Sequence, residues 1–180
     1  YDIRGLYGDE MDETTAEQIG RAFVLTLADI AGKDPGELRI GLGRDMRLTA
    51  PAMAAAYLKG MTSEGAHVID AGEVATEMLY FLVGSRELDG GAMCTASHNP
   101  KAYTGVKLVS AGALPLSGDA GIGDIRQLVE AGMDEAPGGG STEEVDLWDE
   151  YRAAAGACID PAKIKPRKIA VAGGNGMAGP

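Results

Sequence analysis

A serine and a histidine stand side by side in Thr95-Ala96-Ser97-His98-Asn99-Pro100, directly after the apolar run Gly91-Ala92-Met93-Cys94. The run reads as a buried strand leaving the core. Asn99-Pro100 then imposes a turn, because Pro fixes its own φ and drives the preceding residue out of the helical region. A hydroxyl presented at the mouth of a strand by a stiff turn is placed to act as a nucleophile. A turn serine more ordinarily hydrogen-bonds its own backbone. Adjacency also does not make a nucleophile–base pair, which must converge in space with a third, orienting group. No G-x-S-x-G motif is present, so a serine hydrolase is a poor reading. A phosphoryl carrier asks instead for cations and hydrogen-bond donors around the hydroxyl. His98, Lys101 and Lys107 lie within ten positions of Ser97, and Arg4, Arg44, Arg47, Lys101 and Lys107 all fall in or beside expected loops.

Those loops need elements to hold them. Ala16, Ile19, Phe23, Val24, Leu27 and Ile30 recur at helical spacing over 13–32, with Thr14 and Glu17 suited to a capping box and Gly32 to a stop. Residues 38–43 alternate like a strand, and Thr49 before Pro51 opens a helix running to about Gly60. Strands are expected over 66–71, 90–95 and 105–110. A helix from Glu77 to about Arg86, capped by Thr76, and another from Gly121 to Gly132 complete the pattern. Alternating strands and helices predict an α/β fold, a three-layer α/β/α sandwich on a mixed, mostly parallel sheet of about four strands. The short link between the third and fourth strands makes them antiparallel neighbours. Loops at strand ends gather at one edge of such a sheet, which would bring the Ser97 loop and the Arg44–Arg47 loop together.

Asp134 to Glu143, with Pro137-Gly138-Gly139-Gly140-Ser141, reads as a flexible surface connection, and a helix from about Glu144 to Ala157 follows. Residues 160–166 read as a linker, and Lys168–Ala172 as a new strand ending in Gly173-Gly174-Asn175-Gly176. One strand cannot bury a core. The expected organisation is therefore a complete domain over 1–157 and, over 158–180, a linker with the first strand of a truncated second domain.

The 180 residues are 45% hydrophobic and carry a net charge of −11, which argues against nucleic-acid binding, where basic surfaces dominate affinity. A small anionic substrate remains compatible if positive charge is concentrated locally. No apolar run has the length of a membrane span. The only cysteines, Cys94 and Cys158, are far apart and form no zinc spacing, and Cys94 sits in an apolar strand. Reduced thiols imply a cytoplasmic location. His67 is assigned no role.

Thr95-Ala96-Ser97-His98-Asn99-Pro100 resembles the phosphoserine loop of the α-D-phosphohexomutase family. Tyr1-Asp2-Ile3-Arg4-Gly5 resembles its N-terminal signature, Gly43-Arg44-Asp45-Met46-Arg47 its second strand-end loop, and Tyr103-Thr104-Gly105-Val106-Lys107 the segment after the serine loop. The resemblance implies that Ser97 carries the phosphoryl group. His98 and Lys107 would lie close to the phosphate, Lys107 as a candidate proton donor or acceptor. Arg4, Arg44 and Arg47 would steady the loop or the substrate phosphate, Asn99 and Lys101 would share in binding it, and Tyr1 would border the sugar. It further implies a hexose phosphate substrate (mannose or glucose), a sugar 1,6-bisphosphate intermediate, and Mg²⁺ held by the phosphoserine and aspartates of a downstream domain. The family's Asp-Gly-Asp-Gly-Asp metal loop does not occur in this chain; Thr104 stands where Asn is common, and Ala75-Thr76-Glu77 where Thr-Pro is common. Phosphoglucosamine mutase activity, or an inactive phosphosugar-binding fragment, are the alternatives.

Overall fold

The chain was analysed as a computed structural model that describes residues 2–118 and 121–178. Its strands are β1 (Asp2–Leu6), β2 (Arg39–Arg44), β3 (His67–Glu73), β4 (Gly90–Cys94), β5 (Tyr103–Ser110), β6 (Leu114–Pro115) and β7 (Ser141–Glu144). Its helices are α1 (Glu13–Ala31), α2 (Ala50–Ser63), α3 (Thr76–Ser85), α4 (Ile122–Ala131) and α5 (Trp148–Ala157). The sheet runs β1-β5-β4-β2-β3-β7, with β6 beside β5. Every antiparallel ladder involves β5, and all other ladders are parallel. Six strands therefore point one way and β5 alone runs against them. The expectation of a mixed, mostly parallel sheet holds, but the sheet has seven strands among the described residues, not about four.

Period-two alternation divides the strands between two cores. Ile40, Leu42, Val68, Ala92, Cys94, Val106 and Leu108 pack with α1, α2 and Ile125 of α4 on one face. Ile69, Met93 and Val109 pack with α3, Leu147, Trp148 and Tyr151 on the other. The result is the three-layer sandwich. Helices α1 and α2 cross so closely that a Cβ at Gly60 would lie 2.1 Å from the Glu17 carbonyl oxygen, and one at Gly20 would lie 2.6 Å from that of Tyr57.

Some boundaries differ from the sequence reading. The cap of α1 is Asp12, whose Oδ1 accepts from the Thr15 N–H at 2.8 Å, in place of a Thr14/Glu17 box. Gly32 ends the helix in the left-handed region as expected. The N-cap of α3 is Ala75, with Thr76 its first residue. Within the supposed surface connection, Ser141–Glu144 forms β7 and pairs in parallel with His67–Asp70 of β3. This strand delays α5 to Trp148. No strand forms over 168–172, where Ile169 and Val171 are 78% and 81% exposed. An extended segment needs a ladder partner for its N–H and C=O groups, and no described residue pairs with this one. No helix among the described residues is long and apolar enough to cross a membrane.

Candidate active site

Two adjacent parallel strands bring the key loops together. The β2–β4 register places Arg44 opposite Cys94, so the chain leaves both strands at the same edge, with Asp45 beside Thr95. The Asp45 N–H donates to the Cys94 carbonyl (3.0 Å), continuing the ladder one step. The Thr95 Oγ1 donates to Asp45 Oδ2 (2.7 Å) and accepts from the Ser97 N–H (2.8 Å). The loop then turns at Ser97 with φ +55° and returns as β5.

Ser97 is exposed, and so is His98, whose Nδ1 lies 3.5 Å from Ser97 Oγ. Left-handed backbone at a serine costs on the order of 1 kcal/mol and survives only where its surroundings hold it. Arg47 supplies much of that hold. Its Nη2 donates to the carbonyls of Ser97 (2.8 Å) and Asn99 (2.7 Å), and its Nη1 to those of Pro100 (3.0 Å) and Tyr103 (3.1 Å). Its Nε donates to Asp45 Oδ2 (3.2 Å), and the side chain is 9% exposed. A planar five-donor fork suits this task and an ammonium does not.

On the other flank, Asp2 and Arg4 share a face of β1. Arg4 Nε donates to Asp2 Oδ2 (2.9 Å), and Nη1 donates to Asn99 Oδ1 (2.5 Å). Lys107 Nζ lies 3.9 Å from the same Asp2 oxygen, with its side chain 11% exposed. Arg47 and Arg4 thus bond directly to the loop that holds Ser97, His98 and Asn99, and Lys107 connects to it through Asp2 and Arg4. Lys101 is exposed and lines a cavity of about 630 Å³ beside the loop with Met46, Arg47, Leu48 and Asn99. Arg44 turns elsewhere. Its Nη1 pairs with Glu73 (3.3 Å), where it lines a separate 420 Å³ cavity with Asp70, Gly72 and Asp146. Tyr1 lies outside the described residues.

Asp2, Asp45 and Thr95 received no role from the sequence. A signal existed for the two aspartates, since each is an acidic residue set among arginines in a loop or strand end. Arg4 and Lys107 face Asp2, Arg47 faces Asp45, and Lys101 is exposed, in a chain of net charge −11. Beneath the loop, burial and then the Asp45 carboxylate push the Cys94 thiol up to about 12, so it stays a neutral core group. Both nearby carboxylates are held by guanidinium groups, and no cluster of three metal-ligating side chains occurs among the described residues. These residues do not form a divalent-cation cage by themselves.

An exposed, backbone-constrained serine in a cationic loop can accept and release a phosphoryl group. Comparison with known proteins identifies the family. Residues 1–135 match the family described as phosphoglucomutase/phosphomannomutase, alpha/beta/alpha domain I. A phosphomannomutase of Salmonella montevideo is 42% identical over 184 residues, spanning 100% of this chain and 38% of the relative. One of Vibrio cholerae is 39% identical, spanning 99% and 38%. A phosphoglucomutase/phosphomannomutase family protein from Burkholderia thailandensis superposes with a TM-score of 0.73 at 32% identity, over 84% of this chain and 33% of that one. The chain thus spans 38% of the length of these curated relatives. It belongs to the phosphoglucomutase/phosphomannomutase family, with residues 1–135 matching the model of that family's first α/β/α domain.

Proposed function

We propose that this chain is the phosphoserine domain of a phosphohexomutase interconverting hexose 6-phosphate and hexose 1-phosphate, with mannose or glucose as the sugar. The observation that carries the reading is Ser97: an exposed, left-handed residue inside a loop held by the guanidinium groups of Arg47 and Arg4. The phosphomannomutase names of the relatives favour the mannose/glucose branch over glucosamine.

In the forward half-reaction, the bond between phosphorus and Ser97 Oγ breaks as a bond to a hydroxyl of the sugar monophosphate forms. The hydroxyl proton leaves, Ser97 Oγ gains one, and the product is a sugar 1,6-bisphosphate. The second half-reaction returns the other phosphoryl group to Ser97 and frees the isomerised monophosphate. His98 and Lys107 are the candidates for moving the proton and stabilising the charge, and Lys101 faces solvent where an anionic substrate approaches. Arg47 and Arg4 position the loop. Arg44, paired with Glu73, is the weakest candidate for phosphate contact, and Tyr1 is kept as a residue bordering the sugar. Mg²⁺ is the expected ion. Ser97 once phosphorylated would give it an oxygen ligand, and its carboxylates would come from outside this chain. Free Cys94 and Cys158 suit a cytoplasmic setting.

The test uses the protein expressed from its complete reading frame. Incubation with glucose 1,6-bisphosphate should add one phosphate to the intact mass, at Ser97. Ser97→Ala should abolish the gain and lower mutase turnover at least a thousandfold, as removal of a nucleophile does. Retention of most turnover by Ser97→Ala would overturn the assignment. Turnover of mannose, glucose and glucosamine 1-phosphates, compared side by side, identifies the sugar.

A further inference from the structure

Ser97 is gripped at both of its backbone polar groups, and both grips lead to one carboxylate. Its N–H is held by Thr95 Oγ1, whose own hydrogen goes to Asp45 Oδ2. Its carbonyl is held by Arg47 Nη2, while Arg47 Nε donates to that same Oδ2 and the Arg47 N–H to Asp45 Oδ1 (3.1 Å). Asp45 is only 6% exposed and Thr95 5%, so both are largely withdrawn from the solvent in which a sugar phosphate would arrive. A buried carboxylate and a buried hydroxyl carry a desolvation cost unless fully partnered. Here both are partnered, and each of the partners acts on Ser97.

We infer that Asp45 and Thr95 are positioning residues for phosphoryl transfer. Asp45 orients the Thr95 hydroxyl and the Arg47 fork, and those two fix the peptide groups on either side of Ser97, which aims Oγ out of the loop. The inference rests on the phosphoserine reading of Ser97 given above. Without the Thr95 hydroxyl, the Ser97 N–H loses its acceptor and the positive φ loses one of its restraints. Displacement of a reacting atom by about 1 Å costs roughly a hundredfold in rate, with little effect on binding of the distal substrate groups. Serine at position 95 keeps the hydroxyl, whereas valine keeps the shape and removes it.

The experiment compares Thr95→Val, Thr95→Ser and Asp45→Asn in the protein expressed from its complete reading frame. Expected for Thr95→Val is a 10- to 100-fold lower kcat for mutase turnover, with KM within about twofold of wild type. Thr95→Ser should recover to within a few-fold, and Asp45→Asn should fall like Thr95→Val. Amide hydrogen exchange at Ser97 is followed in the same proteins. It should quicken about fivefold or more in Thr95→Val and Asp45→Asn, and stay near wild type in Thr95→Ser. Equal kcat in Thr95→Val and wild type, or equal losses in the Val and Ser variants, overturns the inference. If wild type takes up no phosphate at Ser97, the phosphoserine reading fails. Unchanged Ser97 exchange in Thr95→Val defeats the positioning claim on its own, whatever the turnover.

Discussion

Arg47 illustrates how one side chain can decide the shape of a loop. Its guanidinium donates to four carbonyls between Ser97 and Tyr103 and to Asp45. Lysine at that position has three donors on a flexible stem and cannot span them. Arg47→Lys should therefore cost about 3 kcal/mol, which for a chain this size lowers the melting midpoint by roughly 6–12 °C. Chemical denaturation reads the loss, and a change below about 1 kcal/mol would show that the carbonyl clamp is unimportant. The exposed turn at Ser97 and His98 was legible in the sequence because the turn chemistry is local: Asn99-Pro100 states where the chain bends. The separate duties of Arg44 and Arg47 were not legible. They are three positions apart, yet one turns to Glu73 and the other to the serine loop, and both sets of partners are distant in sequence. Asp45 and Thr95 escaped notice for the same reason, being 50 residues apart in sequence and 2.7 Å apart in space.

At the level of elements, the sequence announces what its own periodicity builds and hides what neighbours build. Helix α1 and strands β2 to β5 were legible from apolar spacing, within a few residues at their ends. Strand β7 was not, because Ser-Thr-Glu-Glu is exposed throughout and exists as a strand only through its ladder with β3. Residues 168–172 show the converse, a strand-like apolar run that forms no strand without a ladder. The α1–α2 crossing was hidden too: Gly60 read only as the approximate end of its helix, and Gly20 was given no reading. Alanine normally improves a helix by about 1 kcal/mol over glycine. At Gly60 that gain is outweighed, because the new methyl would lie 2.1 Å from a backbone carbonyl and the helices must part to admit it. Gly60→Ala should lose about 2 kcal/mol net. Gly84→Ala, in α3 with nothing within 4 Å of the added carbon, should gain up to about 1 kcal/mol. Denaturant titrations of the two variants should move in opposite directions, and a stabilised Gly60→Ala would mean the crossing is looser than described.

For the whole molecule, the reversal of β5 links the sandwich to its site. A parallel successor to β4 would need a long crossover, but an antiparallel one needs only the loop 95–102. That loop stays at the edge where β2 also ends, so Ser97 and Asp45 arrive from adjacent strands. Both cores are closed by residue 151: Leu147, Trp148 and Tyr151 belong to the second core, and no residue over 158–178 belongs to either. Ile159, Ile164, Ile169 and Val171 are all more than half exposed. Burial of apolar area is what stabilises a domain, at about 25 cal/mol per Å², so the segment after α5 adds little to folding here. We therefore propose that residues 1–157 are a folding unit and that 158–180 begin another region. A chain ending at residue 157 should unfold cooperatively, with stability within about 1 kcal/mol of the 180-residue chain and the same denaturant slope. A chain ending at 146 removes three residues that pack in the second core and should lose several kcal/mol. If the 157-residue chain instead melts broadly or far earlier, the region after α5 is part of the fold, and the domain boundary must be moved towards the C-terminus.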